Sequence, residues 1–374
     1  MLINLWYHLL YFVSDFHEFL ILIALAIIIF ILAVYLIFKS SLSVKRKQFF
    51  ISLAFCFLSF VLIYSGFEAY FRYRFDESDS LGFLNVTQRW YGRHVVYNNF
   101  QYRDKDFTVQ KKPGTVRIGV IGDSNTFGYG IKNVNNRFSN ILEDKLNNAG
   151  YKVEVYNFGV PGLDTWNEII EYNKKDAIFK PDILIWQYFL NDVEATKSAG
   201  TIALQNAGNQ ISPLVKLISD HSVFFNYVYW RLSAKYSTTF SQISSADLKQ
   251  YSNPKVFAFH KYEISSLMTE LKDQNIKVIV TVFPFFGLFP NYPAGKIHQE
   301  MDTIFKNDGA DVVVDLLPYL KNKTAKELVV GRYDSHPNES VHKLAADKLY
   351  DAVVPLLEKT KQQGTIVKTN EESN

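Results

Sequence analysis

Two long stretches near the amino terminus contain no charged residue. Residues 19–38 read FLILIALAIIIFILAVYLIF, and residues 49–66 read FFISLAFCFLSFVLIYSG. At 1.5 Å per residue, a helix of this length covers the roughly 30 Å hydrocarbon core of a bilayer. A helix in a soluble core would instead show polar residues recurring every three or four positions. The sequence therefore predicts two transmembrane helices, at about 19–38 and 49–66, within a membrane anchor over residues 1–67.

Basic residues around these stretches predict how the pair is oriented. Lys39 and the run at 45–47 lie between the stretches, whereas residues 1–38 contain no Lys or Arg. Because basic loops favour the cytoplasmic side, the turn is expected inside and both ends outside. A cleaved signal peptide is disfavoured, since the amino terminus is not basic and the apolar run is too long. We therefore expect a multi-pass protein of the inner (plasma) membrane whose larger part faces the periplasmic or extracellular side.

After a connecting collar over residues 68–113, apolar strand patterns alternate with helical ones. Such alternation predicts a parallel sheet with helices on both faces. We expect a three-layer α/β/α domain with a five-stranded parallel sheet over residues 114–360, an insertion over 194–254 that breaks the alternation, and a disordered polar tail over 361–374. The predicted strands are 116–121, 153–158, 183–189, 278–283 and 312–315, and the predicted helices are 137–149, 165–178, 257–274, 295–307 and 340–359.

A serine follows the first predicted strand, and a histidine lies over 200 residues later. Ser124 ends the run Gly122-Asp123-Ser124, and His336 lies in the run Asp334-Ser-His336-Pro. A serine hydroxyl becomes a good nucleophile when an imidazole accepts its proton and a carboxylate orients that ring. Ser124, His336 and Asp334 therefore form a candidate catalytic triad. Taken alone, Ser124 is also compatible with a helix cap, and Asp123 is expected to cap that helix or bond the turn.

Four blocks in this order resemble those of the SGNH or GDSL hydrolases, over roughly residues 114–357. They are Gly122-Asp123-Ser124, Asn157-Phe-Gly159-Val-Pro-Gly162, Phe189-Leu-Asn191-Asp192 and Asp334-Ser-His336-Pro-Asn338. The resemblance implies an SGNH-type fold. It also implies an oxyanion hole formed by the Ser124 N–H, the Gly159 N–H and the Asn191 side chain, with Asp334 as the acid.

The chain departs from the family pattern at three places. Asn125 stands where the name-giving leucine would be, and Asp334 lies two residues before the histidine, whereas many members have the acid three residues before it. Some members that act on acetylated polysaccharides use the shorter spacing. In the collar, the run ending in Tyr102-Arg103-Asp104 resembles an Asn-x-x-Gly-Phe-Arg-Asp element of membrane-anchored bacterial members, with Gln101 in place of the glycine.

The resemblance and the expected orientation together predict an activity. We expect a membrane-anchored serine esterase that cleaves acyl esters of cell-envelope glycans or lipids, O-acetyl esters among them, through an acyl-enzyme on Ser124. Two alternatives stay open. One is an O-acyltransferase that uses the same triad to acylate polysaccharide, and the other is a catalytically idle glycan-binding or scaffold protein.

Two aromatic segments are candidates for the substrate-binding wall. They lie at residues 223–231 and 283–290, and Tyr229 and Phe286 are the candidate contacts. Aromatic faces suit both acyl and sugar ligands. Packing against the core or the membrane accounts for the same pattern equally well.

Other ligands are constrained by composition. The single cysteine, Cys56, and the lack of a His-x-x-x-His pair disfavour a metal site, and no cofactor is expected. A net charge of +3 is too small to indicate nucleic acid binding. The expected partners are an ester substrate, the membrane and a membrane protein docked on the hairpin.

Overall fold

The computed structural model describes the backbone of residues 2–193 and 211–371, and the side chains of residues 19–193 and 211–359. The first part of the predicted insertion, residues 194–210, lies outside the described residues. In chain order, the helices are α1 (Leu2–Lys39), α2 (Val44–Tyr73), α3 (Thr87–His94), α4 (Ser124–Phe127), α5 (Phe138–Asn148), α6 (Thr165–Glu171), α7 (Pro213–His221), α8 (Val223–Leu232), α9 (Lys235–Gln250), α10 (Pro254–Asp273), α11 (Gly295–Asn307), α12 (Ala325–Leu328) and α13 (Glu339–Glu371). The strands are β1 (Val116–Ile121), β2 (Val153–Asn157), β3 (Ile183–Phe189), β4 (Lys277–Phe283), β5 (Val312–Asp315), β6 (Val329–Gly331) and β7 (Asp334–Pro337).

The chain divides into two compact units. The first unit comprises Met1–Asp76, Leu84–Val86 and Pro213–Leu232, and the second comprises Glu77–Phe83, Thr87–Ser212 and Ser233–Asn374. This division differs from the predicted anchor, collar and catalytic domain. Most of the collar belongs to the unit that holds the sheet, and α7 and α8 of the insertion belong to the unit that holds α1 and α2. Sequence periodicity carries no information on such long-range assignments, because they depend on tertiary contacts.

The first unit contains two long apolar helices. The segments Phe19–Lys39 and Val44–Tyr73 are long and apolar enough to cross a membrane. The two helices pack on each other, and the rings of Phe30 and Phe55 meet edge to face with centroids 4.9 Å apart. The presence of two apolar helices near the amino terminus is therefore confirmed, although α1 begins well before the predicted span, at Leu2.

In the second unit, β1 to β5 form one parallel sheet in the order β2-β1-β3-β4-β5. Ile121 of β1 lies beside Trp186 of β3 in the register. Alternate β3 side chains enter different cores, since Trp186 and Tyr188 pack on one face of the sheet and Ile183 and Ile185 on the other. Both faces are thus buried, which explains why these strands are almost continuously apolar. The predicted five-stranded parallel sheet is confirmed.

The sheet topology brings the sequence blocks to one edge. Because β2, β1 and β3 are adjacent and parallel, the loops that leave their carboxyl ends lie side by side. Ser124 begins α4 just after β1, the Asn157 block follows β2, and Asn191 follows β3. The last block forms β7 of a separate two-stranded antiparallel sheet, in which Asp334 pairs with Gly331 of β6.

The last helix is longer than predicted. It continues to Glu371, into the segment 361–374 for which a disordered tail is expected from the sequence. The first half of α13 is held to the sheet by buried residues such as Leu349 and Val353. A helix that is already anchored by packing can continue beyond its packed residues, because adding a turn is less costly than nucleating a helix. Residues 372–374 lie outside the described residues.

Candidate active site

Ser124, His336 and Asp334 form a continuous chain of hydrogen bonds. The Ser124 Oγ lies 2.8 Å from His336 Nε2, and His336 Nδ1 lies 2.5 Å from Asp334 Oδ1. When Nδ1 carries a proton towards the carboxylate, Nε2 is left as an acceptor for the serine hydroxyl. This is the arrangement in which an imidazole can remove the serine proton as the oxygen attacks a carbonyl carbon.

The electrostatics of the histidine and the aspartate are coupled. Burial alone would raise the pKa of Asp334, but the charge of His336 and hydrogen bonds from His336 and Ser78 outweigh it and hold the pKa below its ordinary value. Burial alone would lower the pKa of His336, but the charge and the hydrogen bond of Asp334 raise it above the ordinary histidine value. The pair therefore favours an ionised aspartate beside an imidazole of increased basicity.

Two serines of the segment after α2 support the carboxylate of Asp334. The Ser78 hydroxyl donates to Asp334 Oδ2, and the Ser80 hydroxyl donates to Asp334 Oδ1 at 3.1 Å. Ser80 Oγ also accepts a hydrogen bond from the Ser335 N–H at 2.7 Å. With the His336 N–H at 3.0 Å from Oδ1, both oxygens of the carboxylate are satisfied. No motif surrounds Ser78 or Ser80, so the sequence carries no signal for this role of the two serines.

The segment that carries these serines is itself fixed by Asp79. The Asp79 carboxylate accepts hydrogen bonds from the Leu81 N–H at 2.8 Å and from the Tyr236 hydroxyl at 2.6 Å. The Tyr129 hydroxyl donates to the Asp79 carbonyl at 3.2 Å, and the Tyr129 ring lies 4.7 Å from the His336 ring between centroids. The segment thus contacts the histidine through Tyr129 as well as the acid through the serines.

The nucleophile turn is held by Asp123, as the sequence analysis expected. Its side chain caps α4 by accepting the Asn125 N–H at 2.8 Å. The side-chain amide of Asn125 donates to the same carboxylate at 3.0 Å. The departure from the family leucine at this position therefore adds a hydrogen bond to the turn that presents Ser124.

Two buried arginines hold the other end of this turn. Arg103 donates to the carbonyls of Gly128 at 2.7 Å and Ile131 at 2.6 Å. Arg137 donates to the Arg103 carbonyl at 2.5 Å and to Asp104 at 3.0 Å. A planar guanidinium that donates to two different acceptors at once fixes their relative positions as well as adding stability. The Arg103-Asp104 pair, noticed in the sequence only as a resemblance, is therefore part of the framework of the site.

The oxyanion role expected of Gly159, the first glycine of the second block, needs a correction. The Gly159 N–H, expected to bind the oxyanion, donates to Asn157 Oδ1 at 3.0 Å. Gly159 instead allows a close approach of two backbones, since a Cβ at this position would lie 2.3 Å from the Phe127 nitrogen. Gly162 ends the same block, is exposed, and has a φ of +82°. Its N–H makes no hydrogen bond with any group in the described part of the chain.

Three donors at this edge have no acceptor among the described residues. They are the N–H groups of Ser124 and Gly162 and the side-chain amide of Asn191. The Asn191 Oδ1 is buried and also has no hydrogen-bond partner in the described part of the chain. Unpaired buried polar groups are uncommon in folded proteins and often mark a functional position. The edge therefore offers hydrogen-bond donors to an incoming ligand.

Three carboxyl groups near the site are buried and interact electrostatically. Burial raises the pKa of Asp123, and burial together with mutual repulsion raises the pKa values of Glu168 and Asp192 well above the ordinary range. Such shifts favour the protonated forms. Among the described residues, no group of three His, Cys, Asp or Glu side chains is placed to hold a metal ion.

The two aromatic candidates for substrate binding occupy different places. Phe286 is only 1% exposed and packs in a core cluster against Phe283, with ring centroids 5.8 Å apart. It has no free face for a ligand, which corrects its assignment to the substrate wall. Tyr229 belongs to the unit of the apolar helices, where it is half-buried against Trp230 and Phe225.

Comparison with known proteins agrees with this class of site. The parallel sheet carries the hydrogen-bond chain of Ser124, His336 and Asp334 at the carboxyl ends of its strands, where open α/β folds place their ligands. The profile of the GDSL-like Lipase/Acylhydrolase family matches residues 120–344, more than half of the 374 residues, so the chain belongs to this family. This confirms the resemblance seen in the sequence.

Several solved structures are similar to the chain at low identity. TesA is 13% identical, with 64% of this chain and 99% of that chain covered and a TM-score of 0.39. The acetyl xylan esterase AlAXEase is 13% identical, with 64% and 100% covered and a TM-score of 0.38. The esterase EstA from Pseudoalteromonas sp. is 14% identical, with 65% and 98% covered and a TM-score of 0.37. No curated protein matches the sequence.

Proposed function

We propose that this protein is a membrane-anchored serine ester hydrolase with Ser124 as its nucleophile. The observation that carries the proposal is the hydrogen-bond chain from the Ser124 hydroxyl through His336 to Asp334. His336 Nε2 takes the hydroxyl proton while Ser124 Oγ attacks the ester carbonyl carbon. The resulting tetrahedral intermediate expels the alcohol, which leaves with that proton, and the acyl group stays on Ser124.

Water completes the cycle. His336 removes a proton from a water molecule, whose oxygen attacks the acyl carbonyl. The second tetrahedral intermediate releases the carboxylic acid, and Ser124 recovers its proton from His336. Asp334 keeps its negative charge throughout and stabilises the imidazolium that forms in each step.

The oxyanion needs preorganised donors, each typically worth about 3 kcal/mol of transition-state stabilisation. We assign this role to the Ser124 N–H, the Gly162 N–H and the Asn191 side-chain amide. All three follow neighbouring strands at the same sheet edge, and none has an acceptor among the described groups. Gly162 replaces Gly159 in this assignment, because the Gly159 N–H is bonded to Asn157.

The location follows from the helices and from the charges beside them. α1 and α2 are proposed to span the inner membrane, with the turn between them and the basic residues that flank it, Lys39 and residues 45–47, in the cytoplasm. The catalytic domain then lies on the periplasmic or extracellular side. Acyl esters of envelope glycans or lipids, O-acetyl esters among them, are the substrates that this side of the membrane offers.

The test uses the full chain in detergent or vesicles. We expect a fluorophosphonate probe to label Ser124 and an activated acetyl ester to be hydrolysed, and both signals to be lost in Ser124→Ala with the folded spectrum unchanged. Activity that persists in Ser124→Ala would refute the nucleophile assignment. Failure of the wild-type protein to react with the probe would favour the idle glycan-binding or scaffold protein.

Product analysis distinguishes ester hydrolysis from acyl transfer to a sugar. We expect free carboxylic acid when the protein acts on an acetylated glycan, with or without a second sugar acceptor. Quantitative appearance of the acyl group on the added acceptor, with little free acid, would instead identify an O-acyltransferase.

A further inference from the structure

Helices α7 and α8 are fastened to α2 by a buried carboxylate. Glu68 Oε2 accepts hydrogen bonds from the Ser222 hydroxyl at 2.6 Å and the Phe224 N–H at 3.0 Å, and Oε1 accepts the Val223 N–H at 2.9 Å. A carboxylate at this position satisfies unpaired N–H groups of the first turn of α8 and opposes the positive end of its dipole. Arg72 donates to Glu68 and to the carbonyl that ends α7. The junction of α7 and α8 is therefore fixed on α2.

The contacts set the level of this junction along α2. The Tyr64 hydroxyl is 2.6 Å from Ser222 Oγ, and the Phe67 ring stacks on Phe224 with centroids 4.9 Å apart. From Tyr64 to Arg72, α2 rises by about 12 Å, starting just before the uncharged stretch ends at residue 66. The headgroup region beyond each side of the hydrocarbon core is about 5–8 Å thick. The junction consequently lies at the level of the interface when α2 spans a bilayer.

α7 presents an exposed apolar face next to this level. Leu214 and Leu217 are 66% and 57% exposed. Lys216 and Asp220 form an ion pair at 2.8 Å and are also largely exposed, with Asp220 bordering the leucine face, while Ser219 is buried on the side away from the leucines. At 100° per residue, the leucines lie together and Lys216 lies nearly opposite Leu214. Leucines exposed along one side of an amphipathic helix suit a surface that meets the headgroup and acyl boundary of a bilayer.

We propose that α7 is an interfacial helix whose Leu214 and Leu217 face enters the outer leaflet of the phospholipid bilayer. The inference rests on the proposed membrane anchoring and extends it to a helix that the sequence places in the middle of the chain. An amphipathic helix with charged residues on one side and leucines on the other lies in the plane of the interface, with the leucines at the headgroup and acyl boundary. The aromatic side chains of Phe67 and Tyr70 at the same level of α2 suit that boundary.

The test is a depth measurement on the full chain in vesicles of phosphatidylcholine and phosphatidylglycerol. Cys56→Ser removes the single cysteine, and single cysteines are then introduced as Leu214→Cys, Leu217→Cys, Lys216→Cys and Ile29→Cys. Each is labelled with the NBD fluorophore, and doxyl lipids with the quencher near the headgroup or deep in the chain are added. Lys216→Cys is the matched control on α7, and Ile29→Cys reports the span of α1.

We expect a blue shift and quenching by the shallow doxyl lipid at positions 214 and 217, little of either at 216, and quenching by the deep doxyl lipid at 29. Quenching at 29 combined with water-like emission at 214 and 217 would overturn the interfacial helix and leave the anchor intact. Equal quenching at 214, 216 and 217 would overturn the oriented face. Water-like emission at 29 would overturn the anchor, and the interfacial helix with it.

Discussion

The Ser80 hydroxyl donates a hydrogen bond to Asp334 Oδ1 across 3.1 Å, although the two residues are 254 positions apart in the chain. The family match begins at residue 120, so Ser80 lies outside it. Ser78 donates to Oδ2, the carboxylate oxygen that His336 does not contact, and Ser80 adds a donor to Oδ1, which His336 also contacts. The candidate triad is therefore supported by a segment that no family block contains, and this segment should affect the chemistry.

Removal of these hydroxyls should lower the rate without unfolding the protein. A hydrogen bond to a charged group contributes about 1.5–3 kcal/mol of net stabilising free energy. A loss of about 1.4 kcal/mol of transition-state stabilisation lowers a rate about tenfold. We expect Ser78→Ala and Ser80→Ala each to reduce kcat by about tenfold or more, because a less fixed Asp334 orients His336 less well. Steady-state kinetics and a thermal melt measure the two effects.

Ser237→Ala is the matched control for these two variants. Ser237 is exposed on α9, and among the described residues its hydroxyl bonds only to the local Ala234 carbonyl. We expect its kcat to equal that of the wild type. If Ser78→Ala and Ser80→Ala kept wild-type kcat while folded, the serines would be structural neighbours of the acid with no effect on the reaction.

The pH dependence should report the coupled pair. The neutral imidazole is the active base, so kcat/KM should rise with pH through the pKa of His336 in the free enzyme. Asp334 raises that pKa, so the midpoint should lie above the ordinary histidine value of about 6.5. In Asp334→Asn the raising charge is gone and burial remains, so the midpoint should move to lower pH while kcat falls by about 10⁴-fold. Equal midpoints in both proteins would contradict the coupling.

A glycine beside the acid should tolerate no side chain. Gly130 has a φ of +83°, and a Cβ there would lie 2.7 Å from Asp334 Oδ2 and 2.6 Å from Val330. Gly150 has a similar φ of +87° but nothing within 4 Å. Alanine costs about 1–2 kcal/mol of backbone strain at either position. We expect both variants to melt earlier than the wild type, but only Gly130→Ala to lose activity, because only there does the methyl group displace the carboxylate. Retained activity in Gly130→Ala would contradict this.

Sequence patterns were sufficient for the sheet and for the residue types of the triad. Strands such as residues 183–189 are buried on both faces, so their apolar runs are unambiguous, and Asp123 caps its helix as its position suggested. Block order and chemistry both point to Ser124 and His336 as the candidate nucleophile and base, and their side chains lie 2.8 Å apart in the structure. These inferences need only local pattern and the rule that parallel strands end at one edge.

The remaining features depend on which groups meet in space. The N–H of Gly159 bonds to Asn157 two residues earlier, and no spacing rule reveals that the glycine is occupied. Phe286 was judged by its aromatic character, yet its ring is in the core. Ser78 and Ser80 have no motif, since any residue with a hydroxyl in reach of Asp334 would serve. A sequence pattern shows residue types and their periodicity. The roles of Gly159, Phe286, Ser78 and Ser80 depend instead on which groups each residue contacts and on how its side chain is oriented.

Asn191→Ala should separate function from stability. Asn191 Oδ1 is buried and has no partner in the described part of the chain, and the amide donates to no described group, so truncation removes no hydrogen bond between described groups. Removal of a polar group that is unsatisfied in the folded state is neutral or stabilising. We expect an unchanged or higher Tm together with a 10²–10³-fold lower kcat, the usual effect of losing one oxyanion donor.

Asn173→Ala, at an exposed position, should leave both quantities unchanged and serves as the matched control. A fall in Tm of Asn191→Ala in parallel with kcat would mean that Asn191 supports the fold and not the transition state. A wild-type kcat would remove Asn191 from the oxyanion hole. Only the combination of preserved stability and lost turnover identifies a group whose hydrogen bonds are reserved for the substrate, because a structural donor cannot be deleted without a cost to the folded state.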